Sequence, residues 1–380
     1  MKPNKQKVVI FAGGETAGPV VPLLALAKEW QKDDPTILPV FFDRKHSVAS
    51  RLARKEGFHF KTMPAGKLRR YWSWQNFMSP FLIALGLVKS IYVLATMRPI
   101  AVIGAGGYVQ VPMIVAAWLL RIPRFIHQQD YIPSFSNKSV ALLASRITVT
   151  FEKSLKDFSQ GSGFEKNFGQ DTKIFWTGNP CRLDAKYISG SKAKKEAEEL
   201  FKLDPKWPTV LVLGGGSGAM GLNQVIKLSL PELLKVTQII HSAGAGKMVH
   251  PESNPQVHDR YHQYEFIDRM DLAYAAADIV IARAGVGTIT ELAALGKVSI
   301  IIPMPNSHQE WNATYLFHQK AAIIADQQDL NNDSLAKLVR KILFDIKLQT
   351  KLQTNIRKVI PNNAATKMLK VIQGVIDANN

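Results

Sequence analysis

Two kinds of hydrophobic pattern alternate along the chain. Short continuous runs of apolar, largely β-branched residues, such as VVIF, TVLVLG, DIVIA and SIIIP, read as strands covered on both faces. Between them come amphipathic stretches such as VVPLLALAKEW and NQVIKLSLPELLKV, whose apolar positions suit helices with one buried side. This alternation predicts an α/β chain with a doubly wound parallel sheet in each half. The longest apolar region, FMSPFLIALGLVKSIYVLATM, is interrupted by Pro80 and Lys89, which predicts a buried or surface-lying helix rather than a spanning one.

A strand followed by glycine and then a helix recurs in KVVIFAGG, AVIGAGGYVQVP, TVLVLGGGSGA and DIVIARAGVGTITELAALG. Two examples fall in each half, an internal duplication of architecture rather than a short repeat. The stretch GNPCRLDAKYISGSKAKKEAEELFKLDPKWPT, with its Pro, Gly, Ser and charged run, separates the halves before a new strand opens at Thr209. The expected domains are therefore 1–183 and 184–361. A helical segment at about 362–380 follows the breaker Pro361 and is assignable to either half, packing back on the first in one reading.

Composition narrows the function classes. The 380 residues are 46% hydrophobic and 21% charged, which suits two globular domains with their own cores. A net charge of +18 draws the chain toward polyanions: nucleic acid, an anionic membrane face or phosphate-bearing substrates. The positive charge is dispersed and carries no compact nucleic-acid motif, so a nucleic-acid-binding α/β protein is the last of the readings. Cys181 is the only cysteine, which excludes an intrachain disulfide framework or thiolate metal cluster. MKPNKQKVVIFAGG enters a strand without a cleavable apolar leader, so the expected location is inside the cell.

The glycine turns carry the candidate chemistry. GGGSGA at 214–219 lacks both the Lys-Ser/Thr of a P-loop and the full dinucleotide spacing; tight packing and a phosphate cradle remain alternative readings. In GVGTIT the backbone offers N–H donors at a helix start, and Glu291 lies one turn inside. That carboxylate either favours the helix dipole or accepts two hydrogen bonds from a ribose. IPMPNSHQEWNA sets His308, Gln309 and Asn312 in a loop at a strand end, placed to read hydroxyls, although ordinary loop polarity explains them equally well.

Taken together, the segments GAGGYVQVPMIVAAWLLRIPRFIHQQD, FSNKSVALLASRI, TGNPCR, VLVLGGGSGAMGLN, EFIDRMDLAYAAADIVIARAGVGTITELAALG and HQEWNA resemble the MurG family over nearly the whole chain. That family comprises UDP-N-acetylglucosamine:lipid I N-acetylglucosaminyltransferases of peptidoglycan synthesis, with a GT-B fold of two Rossmann-type domains facing across a cleft. The resemblance implies inverting transfer of GlcNAc from UDP-GlcNAc to a muramyl hydroxyl on an undecaprenyl-diphosphate lipid. Uracil would meet the backbone of Ile267, and the ribose hydroxyls would meet Glu291. The diphosphate would rest on Val286, Gly287, Thr288, Ile289 and Thr290 and on Gly216, Ser217 and Gly218, assisted by Arg182. His308 and Gln309 would read the GlcNAc hydroxyls, while Thr16, Ala17, Gly18 and Asp130 would approach the nucleotide sugar from the first half.

The acceptor would meet Gly14, Gly106, Gly107, Tyr108, His127 and Asn137. No DxD pair flanks the turns, so helix dipoles and Arg182 would replace a metal ion; no cofactor beyond the UDP-GlcNAc substrate is expected. Lys67, Arg69 and Arg70, interleaved with Tyr71, Trp72 and Trp74, suit an anionic headgroup interface, so the expected location is the cytoplasmic membrane face. A solvated loop over a buried helix is the alternative. Other cell-wall synthesis proteins are further expected partners.

The chain departs from the family at two motifs. GETAGP puts Glu15, Ala17 and Pro19 into a turn that reads glycine-glycine-threonine-glycine-glycine-histidine in the family, and HQQD stands for HEQN. Pro19 cannot take a proton where the family has a histidine. The general base is therefore expected to be Asp130, or second to it Glu15, with His127 orienting. A different lipid-linked acceptor, or binding without turnover, are the alternatives these departures leave.

Overall fold

Val9 and Phe11 pack into one core and Ile10 and Ala12 into another, on opposite faces of the same strand, which explains why VVIFA has no polar position. The computed structural model describes residues 6–13, 17–45, 47–64, 75–159, 173–188, 190–216, 218–248 and 259–378, and only the backbone of 17, 75–81, 159 and 187. The expected sites at Gly14, Glu15, Thr16, Ser217, Lys67, Arg69, Arg70, Trp72 and Trp74 lie outside the described residues.

The chain divides into two compact units, Met1–Arg182 with Pro361–Asn380, and Leu183–Ile360. The first is built on strands β1 (Lys7–Ala12), β2 (Ile37–Asp43), β3 (His59–Thr62), β4 (Ala101–Gly104), β5 (Arg124–Gln128), β6 (Arg146–Val149) and β7 (Ile174–Trp176). They form one parallel sheet in the order β3-β2-β1-β4-β5-β6-β7. One face packs against helices Ala17–Asp33, Val48–Lys55 and Ala364–Asp377 through Leu24, Ala49 and Met368. The last helix thus belongs to the first unit, and Gln373 Nε2 donates to Asp33 Oδ2 at 2.9 Å across that seam. Leu94 and Met113 pack on the opposite face, from helices Gln75–Met97 and Gln110–Leu119.

The second unit carries β8 (Thr209–Leu213), β9 (Gln238–Ser242), β10 (Tyr261–Tyr264), β11 (Ile279–Ala282), β12 (Ser299–Ile301) and β13 (Ile323–Ile324). This sheet is also parallel, in the order β10-β9-β8-β11-β12-β13. In each sheet the strand order reverses at one place, between β1 and β4 in the first and between β8 and β11 in the second. Adjacent loops diverge at such a reversal and leave a crevice at the carboxyl ends of the strands. All four glycine turns follow the strands that flank the two crevices.

Candidate active site

In the second unit, the turn after β11 leads into helix Val286–Leu295, whose N-cap is Gly285 with no capping side chain. The first-turn N–H groups of a helix have no partner within it. Those of Val286, Gly287 and Thr288 are therefore available to an anion, with the helix dipole favouring negative charge there. A Cβ added at Gly285 or Gly287 would meet nothing within 4 Å, so the packing of this unit does not require glycine at either place. The open space above the turn is where a ligand would sit.

The turn after β8 is different. Gly218 has φ +70°, and a Cβ there would collide with the Ala243 carbonyl oxygen; Gly214 would bring one to 2.6 Å from the Ala219 nitrogen. These glycines are imposed by close backbone approach, so tight packing accounts for them. Gly216, between them, is exposed.

Glu291 stands in the second turn of helix Val286–Leu295 and is half-buried. Its Oε2 accepts a 2.8 Å hydrogen bond from the hydroxyl of Tyr274, a fully buried side chain on helix Met270–Ala276. The same helix follows the segment that contains buried Ile267. Ile267, the expected base contact, therefore lies three residues before the helix whose Tyr274 holds Glu291, the expected ribose contact.

Several expected contacts have other work in the structure. The Ile289 N–H donates to Gly285 O at 3.0 Å and its side chain is in the core, while the Thr290 hydroxyl donates to Val286 O at 2.7 Å. Neither group is open to a diphosphate. Arg182 lies in the first unit, where its Nη1 donates to Glu56 Oε1 at 2.8 Å beside Lys28, which pairs with the other carboxylate oxygen. Its charge is met there by Glu56, whose own carboxyl is held below the usual range by Lys28 and Arg182 against the opposing effect of burial. Gln309 and Asn312 belong to helix Gln309–His318 rather than to a loop. Asn312 is buried and donates to Ala284 O at 3.0 Å, so it braces the β11 turn; Gln309 Oε1 accepts from Met304 N at 3.1 Å and closes its own turn. His308 is exposed at the helix start.

In the first unit, the turns after β1, β4 and β5 lie side by side because those strands are neighbours. A Cβ at Gly13 would stand 2.5 Å from Gly106 O, so the first two turns touch. A buried amide network then fixes the second and third. Gly106 N–H donates to Gln110 Oε1 at 2.5 Å, Gln110 Nε2 to Asn137 Oδ1 at 2.6 Å, and Asn137 Nδ2 to Gln128 Oε1 at 2.6 Å and His127 O at 3.2 Å. Gln128 Nε2 continues it to the carbonyls of Asp130 and Ile132. Asn137 is 1% exposed and its side chain braces these turns, in contrast to the exposed contact expected of it.

His127 also differs from expectation. Its ring is 0% exposed, with Nδ1 2.9 Å from Thr148 Oγ1 and Nε2 2.9 Å from Asn179 Oδ1. Burial lowers its pKa to about 4 despite those bonds, so the ring is neutral and occupied. It is part of the core, where its two nitrogens hold Thr148 and Asn179. Asp130 is half-buried just beyond the end of β5. Pro19 sits in the first turn of helix Ala17–Asp33, where a missing N–H breaks no helical bond.

Two positioning residues escape sequence reasoning. Tyr274 reads as an ordinary helix aromatic in LAYAAA, and Arg283 as a lone cation after a strand. Arg283 is 5% exposed; its Nη1 donates to the carbonyls of Ile302 and Pro303 at 3.0 and 2.8 Å, and its Nη2 to Gln327 Oε1 at 2.5 Å. It ties together the segments that follow β11, β12 and β13 and so sets the floor of the β11 turn.

Residues 8–149 match the glycosyltransferase family 28 N-terminal domain and residues 209–370 its C-terminal domain. A Flavobacterium psychrophilum protein named UDP-N-acetylglucosamine--N-acetylmuramyl-(pentapeptide) pyrophosphoryl-undecaprenol N-acetylglucosamine transferase is 33% identical, over 98% of this chain and 99% of its own. A Bacillus cereus protein with the same name, numbered 2, is 29% identical over 98% of this chain and 100% of its own. The crystal structure of Acinetobacter baumannii MurG aligns with a TM-score of 0.69 at 24% identity, covering 97% of this chain and 99% of that one, which gives the fold as GT-B. With both domain models matched in order and full-length relatives at this identity, the chain belongs to glycosyltransferase family 28 and is a glycosyltransferase of the MurG type.

Proposed function

We propose that this enzyme transfers GlcNAc from UDP-GlcNAc to an N-acetylmuramyl-peptide carried on undecaprenyl diphosphate. The carrying observation is full-length similarity, at 33% identity, to a relative whose name states that reaction. The second unit supplies a matching donor site: N–H groups of Val286, Gly287 and Thr288 for the diphosphate, Glu291 for the ribose and the backbone at Ile267 for the base. As the sugar leaves, negative charge grows on the UDP oxygens, and a preorganised helix N-terminus stabilises that charge more than it stabilises the ground state. His308 and Gln309 are the candidates for the sugar hydroxyls.

For the acceptor, the β1 and β4 turns form a backbone-lined floor at Gly13, Gly106, Gly107 and Tyr108. Asp130 is the group in the first unit that we assign as general base, since Pro19 has no proton acceptor and the His127 ring is already occupied. Attack by the acceptor hydroxyl on the face opposite UDP gives inversion. Among the described residues no helix is long and apolar enough to cross a membrane. Leu85, Val88 and Tyr92 nevertheless expose apolar surface at helical spacing, and Trp118, Leu119 and Leu120 expose more, which supports surface attachment to the membrane that holds the acceptor.

The experiment is UDP release from UDP-GlcNAc with and without a short-chain polyprenyl-diphosphate muramyl-peptide. Acceptor-dependent release with a disaccharide product is expected; release indifferent to the acceptor would reject the assignment.

A further inference from the structure

A cavity of about 370 Å³ lies in the first unit, lined by Lys45, Ser50, Arg51, Arg54, Phe60 and Thr62. Ser50, Arg51 and Arg54 share helix Val48–Lys55, while Phe60 and Thr62 come from one face of the edge strand β3. Among the described residues, Lys45, Arg51 and Arg54 have no ion-pair partner. The nearest carboxylate on the helix, Glu56 at its C-cap, is spent on Lys28 and Arg182. Asp43 at the end of β2 is buried and does not line the cavity. Arg54 lies 5.6 Å from the centroid of the Phe60 ring, which fixes one guanidinium against an apolar wall.

Three exposed cations lining one cavity, with no counter-charge among the described residues, repel one another, and an anion with several acceptor oxygens removes that cost while using the guanidinium forks. We infer that this cavity binds a phosphate-bearing anion at a site distinct from the donor and acceptor turns. β3 stands three strands from β4, roughly 14 Å at ordinary strand spacing, so the cavity is separate from the Gly106–Tyr108 floor.

The phosphate could be carried by a soluble metabolite or by a lipid headgroup, and the strand's alternation favours the former. Phe60 and Thr62 face the cavity, whereas Lys61 Nζ reaches Met97 Sδ at 3.8 Å, at the end of helix Gln75–Met97 on the other face of the sheet. The cavity and the exposed apolar row of that helix therefore lie on opposite sheet faces.

The test uses the full chain with the donor site saturated by UDP, titrated calorimetrically with inorganic pyrophosphate at low salt. In parallel, the chain is sedimented with vesicles of phosphatidylglycerol or of phosphatidylcholine. The double variant Arg51→Gln/Arg54→Gln is expected to bind pyrophosphate at least tenfold more weakly, with UDP affinity and vesicle binding unchanged. Loss confined to phosphatidylglycerol vesicles would assign the site to a headgroup instead. Unchanged binding of both pyrophosphate and anionic vesicles would overturn the inference. Lys45→Gln/Arg54→Gln serves as the second variant should the first lower the melting temperature. No arm measures sugar transfer, so the outcome is independent of the proposed reaction.

Discussion

The Tyr274 hydroxyl donates to Glu291 Oε2 at 2.8 Å from a fully buried ring, so a helix packed in the core dictates where the carboxylate stands. A glutamate has three side-chain torsions to immobilise before it can accept two ribose hydroxyls, and Tyr274 fixes them in advance. Tyr274→Phe keeps the ring and removes only the hydrogen bond. About 1 to 1.5 kcal/mol of positioning is lost, so the KM for UDP-GlcNAc should rise roughly 5- to 12-fold with kcat little changed. Steady-state UDP release across donor concentrations reads this directly; a fall in kcat with an unchanged KM would contradict it.

Gly287 offers a test that separates folding from binding. Its Cβ would meet nothing within 4 Å and its position is helical, so Gly287→Ala should raise stability, by up to about 1 kcal/mol on helix propensity alone. The same methyl would intrude on the open space that the proposed site leaves for the diphosphate. A thermal melt at or above that of the wild type, combined with weaker UDP binding by calorimetry, is the expected pair of results. Lower stability with unchanged UDP affinity would show the opposite division of labour.

Much of the fold is legible because parallel strands buried on both faces must be written as unbroken apolar runs, as in VVIF and DIVIA. The glycine after each run is legible for the same reason, since a turn at a strand end needs it or tolerates it. Burial of polar side chains is not legible. His127, Asn137 and Asn312 stand in motifs beside the turns and read as ligand contacts, yet each spends its polar atoms on residues 9 to 52 positions away that only the folded chain brings near. Arg182 is the extreme case, paired with Glu56 at a separation of 126 residues. Tyr274 fails in the other direction, because one hydroxyl on a helix of alanines carries no signal until the fold sets it against Glu291.

Asn137 should accordingly behave as structure. Asn137→Ala leaves Gln110 Nε2 and one lone pair of Gln128 Oε1 without partners inside the protein. A cost of about 1 to 3 kcal/mol for each buried group left unpaired predicts a clear drop in denaturation midpoint. Asn137→Asp, which restores an acceptor for Gln110, should recover part of the loss. A variant as stable as the wild type but deficient only in acceptor KM would return Asn137 to the acceptor site.

Acid should weaken the fold through its buried histidines. Burial lowers both His127 and His241 to a pKa of about 4 from an ordinary 6.5. Between those values the unfolded chain binds protons that the folded chain refuses, so stability falls as pH drops from 6.5 to 4. Each histidine contributes on the order of 3 kcal/mol to that fall. Urea unfolding at pH 7 and pH 5, with His127→Gln as comparison, should show a shallower pH dependence in the variant. Equal slopes would mean that His127 titrates normally.

The donor-site assignment rests on the proposal that Glu291 grips the ribose of UDP at the β11 turn. Calorimetric titration of UDP into the wild type and Glu291→Ala measures it. The account predicts that the substitution weakens UDP binding by at least tenfold. Equal UDP affinity in the two proteins would contradict it.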